Sequence, residues 1–365
     1  MCLNINLWEN GNHMNAKKKL ETAELHFTMT NGPVDEAIDQ LIGLTGGIRR
    51  QKIVREMIIA ALKAGQEDND KADLKLMNST LKEMRFTSKV FGPYKAVKKV
   101  TVFGSARSEP DEPTYQMASL LGRKLADAGY MVITGGGPGI MQAVNEGAGP
   151  ERSFGVNIRL PFEQKSNPVL EGNPRNINYK YFFNRKVAFL KESDAVVLCP
   201  GGFGTMDEAF ETLTLIQTGK RNPMPLLLAD VKGGTYWKRW MRFLENELFS
   251  GGYISKMDFN LFEIVDSVDD AVMIIDRFYH RYHSLRYVGD RLVIRLNSPL
   301  SPERVGELKI QFSDILKPHG DIGLSGPLEE ESDERNIDHL PRLILDFNRK
   351  DLGRLKTLID AINKD

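Results

Sequence analysis

Residues 194–208 read Asp-Ala-Val-Val-Leu-Cys-Pro-Gly-Gly-Phe-Gly-Thr-Met-Asp-Glu. The stretch up to Cys199 is an apolar run of the kind buried on both faces of a parallel sheet. Beyond Thr205, apolar residues recur at helical spacing, at Ala209, Leu213 and Ile216. Gly201, Gly202 and Gly204 therefore fall on a strand-to-helix turn, where a backbone without side chains presses its N–H groups against an anion. A carboxylate, Glu208, follows just inside the helix. An anion cradle beside a carboxylate suits a phosphorylated sugar whose reacting carbon becomes positively charged.

Outward from this turn, strand and helix signals alternate. Strands are expected at 100–103, 131–134, 155–160, 225–229 and 261–265, besides the run ending at Cys199. Helices are expected at 114–128, from Gly139, around Arg185, from Thr205, and at 236–248 and 268–280. Such alternation implies an α/β doubly wound parallel sheet with ligands at the carboxyl ends of the strands, where the glycine turns lie. A Pro/Asn-rich excursion at 161–178 interrupts the pattern.

The flanks differ. Residues 1–32 are polar and irregular, and 33–92 read as a helical cap. Its apolar faces are Val34, Ile38, Leu41 and Ile42; Ile53, Met57, Ile58, Ala61 and Leu62; and Leu74, Met77, Leu81 and Met84. The central domain spans 93–286. After 287, a β-α-β-β-α order (292–296, 302–316, 321–324, 343–347, 352–362) suggests a small α+β, ferredoxin-like C-terminal domain. Its acidic run at 329–334 is read as a solvated loop.

Composition narrows the function. The 365 residues carry 49 Lys+Arg and 49 Asp+Glu, without the basic excess of a nucleic-acid binder. No apolar run is long enough for a membrane span or a signal peptide, so a cytoplasmic protein is expected, with Met14 as an alternative start. Cys2 and Cys199 make no disulfide framework, and Cys199 reads as a small buried residue. The histidines His13, His26, His280, His283, His319 and His339 show no metal spacing, so no metal is expected. The turn Gly135-x-Gly137-x-Gly139 is not G-x-G-x-x-G, and no acidic residue closes the next strand, which disfavours a nicotinamide dinucleotide. Neither glycine loop is followed by Lys-Ser or Lys-Thr, which excludes a Walker-type NTPase.

Four elements together carry a resemblance. They are Pro200-Gly201-Gly202-x-Gly204-Thr205-x-x-Glu208, the pair Arg185-Lys186, the turn Gly135-Gly136-Gly137-Pro138-Gly139-Ile140-Met141, and Gly104-Ser105. In the family's order along the chain, over roughly half of its length, they are similar to the LOG family of Rossmann-like phosphoribohydrolases, which release free base from nucleoside 5′-monophosphates. The resemblance implies an N-glycosidase with Arg185 and Glu208 as catalytic residues. It also implies a substrate site at Gly104, Ser105, Gly136, Gly137, Gly139, Met141, Lys186, Gly201, Gly202, Gly204, Thr205 and Asp207. Phosphate is expected on the N–H groups of 136–139 and 201–205. The substrate is expected to be AMP or an N6-modified, cytokinin-type AMP, with no cofactor, and the protein a homodimer or higher homo-oligomer. A lysine decarboxylase label sometimes given to such chains finds no lysine in a pyridoxal context. A carrier of a phosphorylated cofactor is the alternative.

Each residue also has a plainer reading. Thr205 and Glu208 have the spacing of a capping box, in which the carboxylate is held ionised at a helix start. An ionised Glu208 stabilises an oxocarbenium-like centre and grips ribose hydroxyls rather than acting as a strong base. Asp207 is the fallback. Arg185 orients the nucleotide by charge, since arginine is a poor proton donor; on a surface it would only flank Phe183, Val187 and Leu190. Arg107 suits a phosphate or a carboxylate equally, and Glu171 reads as a loop carboxylate with ribose contact as the alternative.

Overall fold

A computed structural model describes residues 24–67, 70–159, 165–332 and 334–364. The chain divides into a unit Met1–Leu81 and a unit Lys82–Asp365. The first holds α1 (Pro33–Thr45), α2 (Gln51–Gln66) and the start of α3 (Lys71–Phe91). Pro33 presets the first turn of α1, and Asp35 and Glu36 complement its N-terminal dipole. Leu25, Ile38, Ile42 and Ile59 form its core, beside a buried Arg55 paired with Asp35 and Asp39. So small a unit buries a narrow stripe. Leu41, Ile53, Met57, Leu62, Leu74, Met77 and Leu81, expected on buried faces, are exposed.

The second unit is built on seven parallel strands. They are β1 (Lys99–Phe103), β2 (Met131–Thr134), β3 (Ser153–Ile158), β4 (Asn176–Tyr179), β5 (Ala195–Leu198), β6 (Leu226–Ala229) and β7 (Glu263–Val265), in the order β4-β3-β2-β1-β5-β6-β7. The helices α4 (Pro113–Asp127), α5 (Ile140–Ala148), α6 (Phe182–Glu192), α7 (Phe203–Gln217), α8 (Tyr236–Phe243) and α9 (Val268–Phe278) flank it. Phe103, Ile133, Phe154, Leu198 and Trp237 pack in one layer; Val100, Val132, Ile140, Val197 and Leu227 pack in the other. Central strands covered twice favour apolar residues on both faces, which is why β5 and β6 read as continuous runs and β1 and β2 nearly so, with Lys99, Thr101 and Thr134 as their buried polar residues. β4, inside the expected excursion, is an edge strand whose inward residues are only Ile177 and Tyr179. α8 runs on into a π-helical turn, Leu244–Phe249.

The chain winds outward from β1 to β4, then returns to β1's other side as β5. That reversal opens a crevice beyond the carboxyl ends of β1 and β5, the usual ligand position of such sheets.

The C-terminal part of this unit is a separate antiparallel sheet, ordered β10-β11-β9-β8. It comprises β8 (Tyr282–Val288), β9 (Arg291–Leu296), α10 (Pro302–Gln311), β10 (Ile322–Ser325), β11 (Arg342–Leu345) and α11 (Leu352–Ile362). β8 is one strand more than the sequence pattern showed. A register shift between Tyr282 and Ser284 breaks its alternation, so its buried residues, Tyr282, Leu285 and Val288, recur at a helix-like spacing of three. The acidic run is also corrected. Glu331 is 1% exposed and is gripped by Arg295 and Arg342, themselves buried. α11 is buried along most of its length, with Gly353 against the backbone of Met257 and Lys356 bonded to Glu263 at 3.2 Å. Among the described residues no helix is long and apolar enough to cross a membrane.

Candidate active site

A cleft of about 800 Å³ occupies the crevice. Phe103 to Arg107 after β1, Gly135, Met141, Phe182 and Arg185, Gly201 to Glu208 after β5, and Tyr236 line it. Backbone bonds stitch its loops together. Cys199 N–H donates to Phe103 O at 2.8 Å, Ser105 N–H to Pro200 O at 3.0 Å, and Ile140 N–H to Ser105 O at 2.9 Å. The Tyr236 hydroxyl donates to Gly201 O at 2.5 Å, fixing the turn from α8.

α7 begins at Phe203 with Gly202, in extended conformation, as its cap. The capping box is therefore not formed: the helix starts two residues before Thr205. Thr205 is buried, with its hydroxyl where a Cβ on Gly201 would have to go. The N–H groups of Phe203 and Gly204 head the helix without intrahelical acceptors and face the cleft. Around Gly202 and Gly204 a Cβ would meet nothing within 4 Å, so protein packing does not demand glycine there. Both residues line the cleft. Gly204→Ala is expected to stabilise the fold by about 0.5–1 kcal/mol, by restricting the unfolded chain, while weakening ribose 5-phosphate binding about tenfold. Urea unfolding and calorimetric titration check the two halves.

The other glycine turn does different work. Gly136 N–H is bonded to Thr134 Oγ1 at 3.1 Å, and Gly136 and Gly137 carbonyls accept from Asn167 at 2.8 and 3.1 Å. Gly139 lies under the backbone of Ser105 and Ala106, where a Cβ would collide. Gly136, Gly137 and Gly139 thus form a buried support and are not in the cleft lining. From that segment only Gly135 and Met141 reach the cleft. A Cβ on Gly135 would meet the Arg185 guanidinium and the Met141 sulfur, which lie over it.

Arg185 is half-buried, its guanidinium 5.1 Å from the centre of the Phe189 ring. Its Nε donates to Val156 O at 2.9 Å, which points the terminal nitrogens at the cleft. Burial lowers its pKa, opposed by Glu208 and Tyr179.

Glu208 is 7% exposed, and its Oε2 is buried without a hydrogen-bond partner. Burial pushes its pKa up to about 7; Glu211 and Asp207 add to the push, and Lys186 and Arg185 oppose it. The sequence placed this carboxylate at the first-turn dipole, held ionised. It sits instead in the second turn, dehydrated, and titrates near neutrality.

Lys186 lies behind Glu208, outside the cleft lining, at 2.8 Å from Asp207, 2.6 Å from Glu211 and 3.5 Å from Glu208. Asp207 is mostly exposed and turned to that lysine. Arg107 is in the lining; Glu171 is exposed and is not. Tyr236, Phe182, Phe203 and Glu211 are the neighbours that sequence reasoning missed. No signal in the chain around Tyr236 points to a turn so distant in sequence.

A family model described as "Possible lysine decarboxylase" matches residues 140–275. Among the described residues no lysine lines the cleft, so a pyridoxal Schiff base finds no partner there. The LOG7 cytokinin riboside 5′-monophosphate phosphoribohydrolase of Arabidopsis thaliana is 28% identical over 165 residues, 44% of this chain and 72% of that protein. Over those residues the central domain is similar to that protein. The cytokinin riboside 5′-monophosphate phosphoribohydrolase LOG of Oryza sativa subsp. japonica is 32% identical over 134 residues, 35% of this chain and 53% of that protein. Among solved structures, the molybdenum cofactor binding protein of Rippkaea orientalis is similar at 21% identity and a TM-score of 0.35, covering 49% of this chain and 94% of that one.

Proposed function

We propose that the LOG-like domain hydrolyses the N-glycosidic bond of a nucleoside 5′-monophosphate, releasing the free base and ribose 5-phosphate. The observation that carries this reading is the unpartnered, buried Oε2 of Glu208, in a cleft shared with Arg185 and an open helix N-terminus. A buried carboxyl without a partner costs stability, so its retention points to a ligand or a reaction.

The phosphate rests on the N–H groups of Phe203 and Gly204, where the α7 dipole favours an anion. Arg185 holds the nucleotide by charge. Beside C1′, the Glu208 carboxylate opposes the positive charge of an oxocarbenium-like state and takes a proton from the attacking water. Water oxygen bonds to C1′, the C1′–N bond breaks with its electron pair going to the base, and the proton taken by Glu208 passes to the departing base, which restores the carboxylate. A base that titrates near 7 is matched to neutral pH.

The test is incubation with AMP and with its N6-isopentenyl analogue. Free base and ribose 5-phosphate are expected in equal amounts, with kcat/KM rising through an acid limb near pH 7. Tight binding of either nucleotide with no base released over hours overturns the hydrolase reading in favour of a carrier.

A further inference from the structure

Lys186 stands between the cleft and a second groove of about 370 Å³ lined by Lys186, Asp207, Phe210, Glu211, Thr214 and Leu215. Its ammonium faces three carboxylates of α7 and is shared unequally. Glu211 at 2.6 Å and Asp207 at 2.8 Å are within hydrogen-bond reach, whereas Glu208 at 3.5 Å is not. One helical turn produces this arrangement. Asp207 and Glu211, at i and i+4, flank the groove side, and Glu208 between them turns inward.

We propose that Glu211 is a positioning residue: with Asp207 it holds the Lys186 ammonium on the groove side of α7, leaving Glu208 free to be the proton acceptor of the cleft. This rests on the hydrolase reading, and it adds a residue outside the cleft to that reading. Without Glu211, Lys186 swings to the unpartnered Glu208 carboxyl, satisfies it, and fixes it as a bonded anion with little basicity. The groups facing Glu208 are Lys186 and Arg185 on α6 and Asp207 and Glu211 on α7. Tyr236 on α8 and Arg107 after β1 share its cleft. The burial that raises Glu208 is common to all variants, but Glu211 also raises Glu208 by its own charge, so the ammonium's part is the shift that Glu211→Gln causes in the native background beyond the shift it causes in the Lys186→Gln background.

The experiment is an infrared pH titration of the protonated Glu208 C=O stretch, assigned by its loss in Glu208→Gln, in wild type, Glu211→Gln, Lys186→Gln and the double variant. The wild-type midpoint is expected near 7. Glu211→Gln is expected to lower it by about one pH unit, and Lys186→Gln to raise it by about as much, since an opposite charge at this range shifts a carboxyl on that scale. The acid limb of kcat/KM should move in step. A folded Glu211→Gln with an unchanged or raised midpoint, or with an equal fall in the Lys186→Gln background, overturns the proposal. Should Glu211→Gln not fold, Lys186→Gln decides, and a midpoint that fails to rise is fatal. Infrared shifts without nucleotide hydrolysis sink the hydrolase reading and leave the positioning role standing.

Discussion

Glu208→Gln is expected to lower kcat about a thousandfold and to make the protein more stable at pH 8 while changing stability little at pH 5. The kinetic half follows from removing the base and the anion that faces C1′, while Gln keeps the volume. The stability half follows from linkage. In the folded protein the Glu208 carboxyl titrates near 7, against an ordinary value of 4.5. Between those values the folded state binds more protons than the unfolded chain, so wild-type stability falls as pH rises from 4.5 towards 7. Each pH unit of displacement corresponds to about 1.4 kcal/mol, which puts the full loss near 3 kcal/mol above pH 7. Gln does not titrate, so the mutant escapes that loss, and its advantage opens across this window. Urea unfolding at pH 5 and pH 8, run with AMP hydrolysis on the same samples, checks both halves. A mutant that is active, or equally stabilised at both pH values, removes Glu208 from the centre of the mechanism.

The sheet was legible because its central strands are buried on both faces and the sequence there is mostly apolar, with Lys99, Thr101 and Thr134 as exceptions. Pro200 to Glu208 was legible for a related reason: glycines between an apolar run and a helical pattern admit few placements. Other features depend on tertiary context. β4 shows only two inward residues, and the bulge in β8 imitates a helix. The start of α7 was misplaced because Thr205-x-x-Glu208 has capping-box spacing, yet Gly202 caps first and moves Glu208 into the second turn. That change reversed its electrostatics, from dipole-stabilised anion to dehydrated acid. Spacing supplied the residue; burial decided its protonation. Tyr236 acts on the site across a distance that periodicity does not report. Glu331 looked solvated because three glutamates in succession normally are, and only its arginine partners on β9 and β11 show otherwise.

Those partners make Glu331→Ala the most damaging expected change outside the cleft. The Glu331 carboxylate accepts from Arg295 Nε and Nη2 at 2.8 and 2.6 Å, from Arg342 Nε at 3.1 Å and from Leu328 N–H at 3.2 Å. Arg342 is fully buried and Arg295 is 3% exposed, so alanine leaves the dehydrated Arg342 guanidinium without its carboxylate and Arg295 with Glu334 alone. Breaking a buried ion pair on one side costs about 3–5 kcal/mol. Although burial alone would raise the Glu331 carboxyl, its hydrogen bonds from Arg295, Leu328 and Arg342 hold it below the ordinary carboxylate value. Its contribution is therefore present above that ordinary value and lost as pH falls through the lowered one, the reverse of Glu208. The damage should be undiminished at pH 8 and shrink only in acid. Among the described residues the tryptophans, Trp237 and Trp240, lie on α8, so hydrogen exchange of β9 and β11 is the proper readout. Those segments should lose protection by two to three orders of magnitude, the equivalent of the stated free energy at 1.4 kcal/mol per tenfold. Replacing Arg295, Glu331 and Arg342 together by Met, Leu and Met should recover most of the loss, because an apolar trio needs no partner. If the triple variant is as unprotected as Glu331→Ala, the triad holds the C-terminal sheet by its charges and not merely by filling its core.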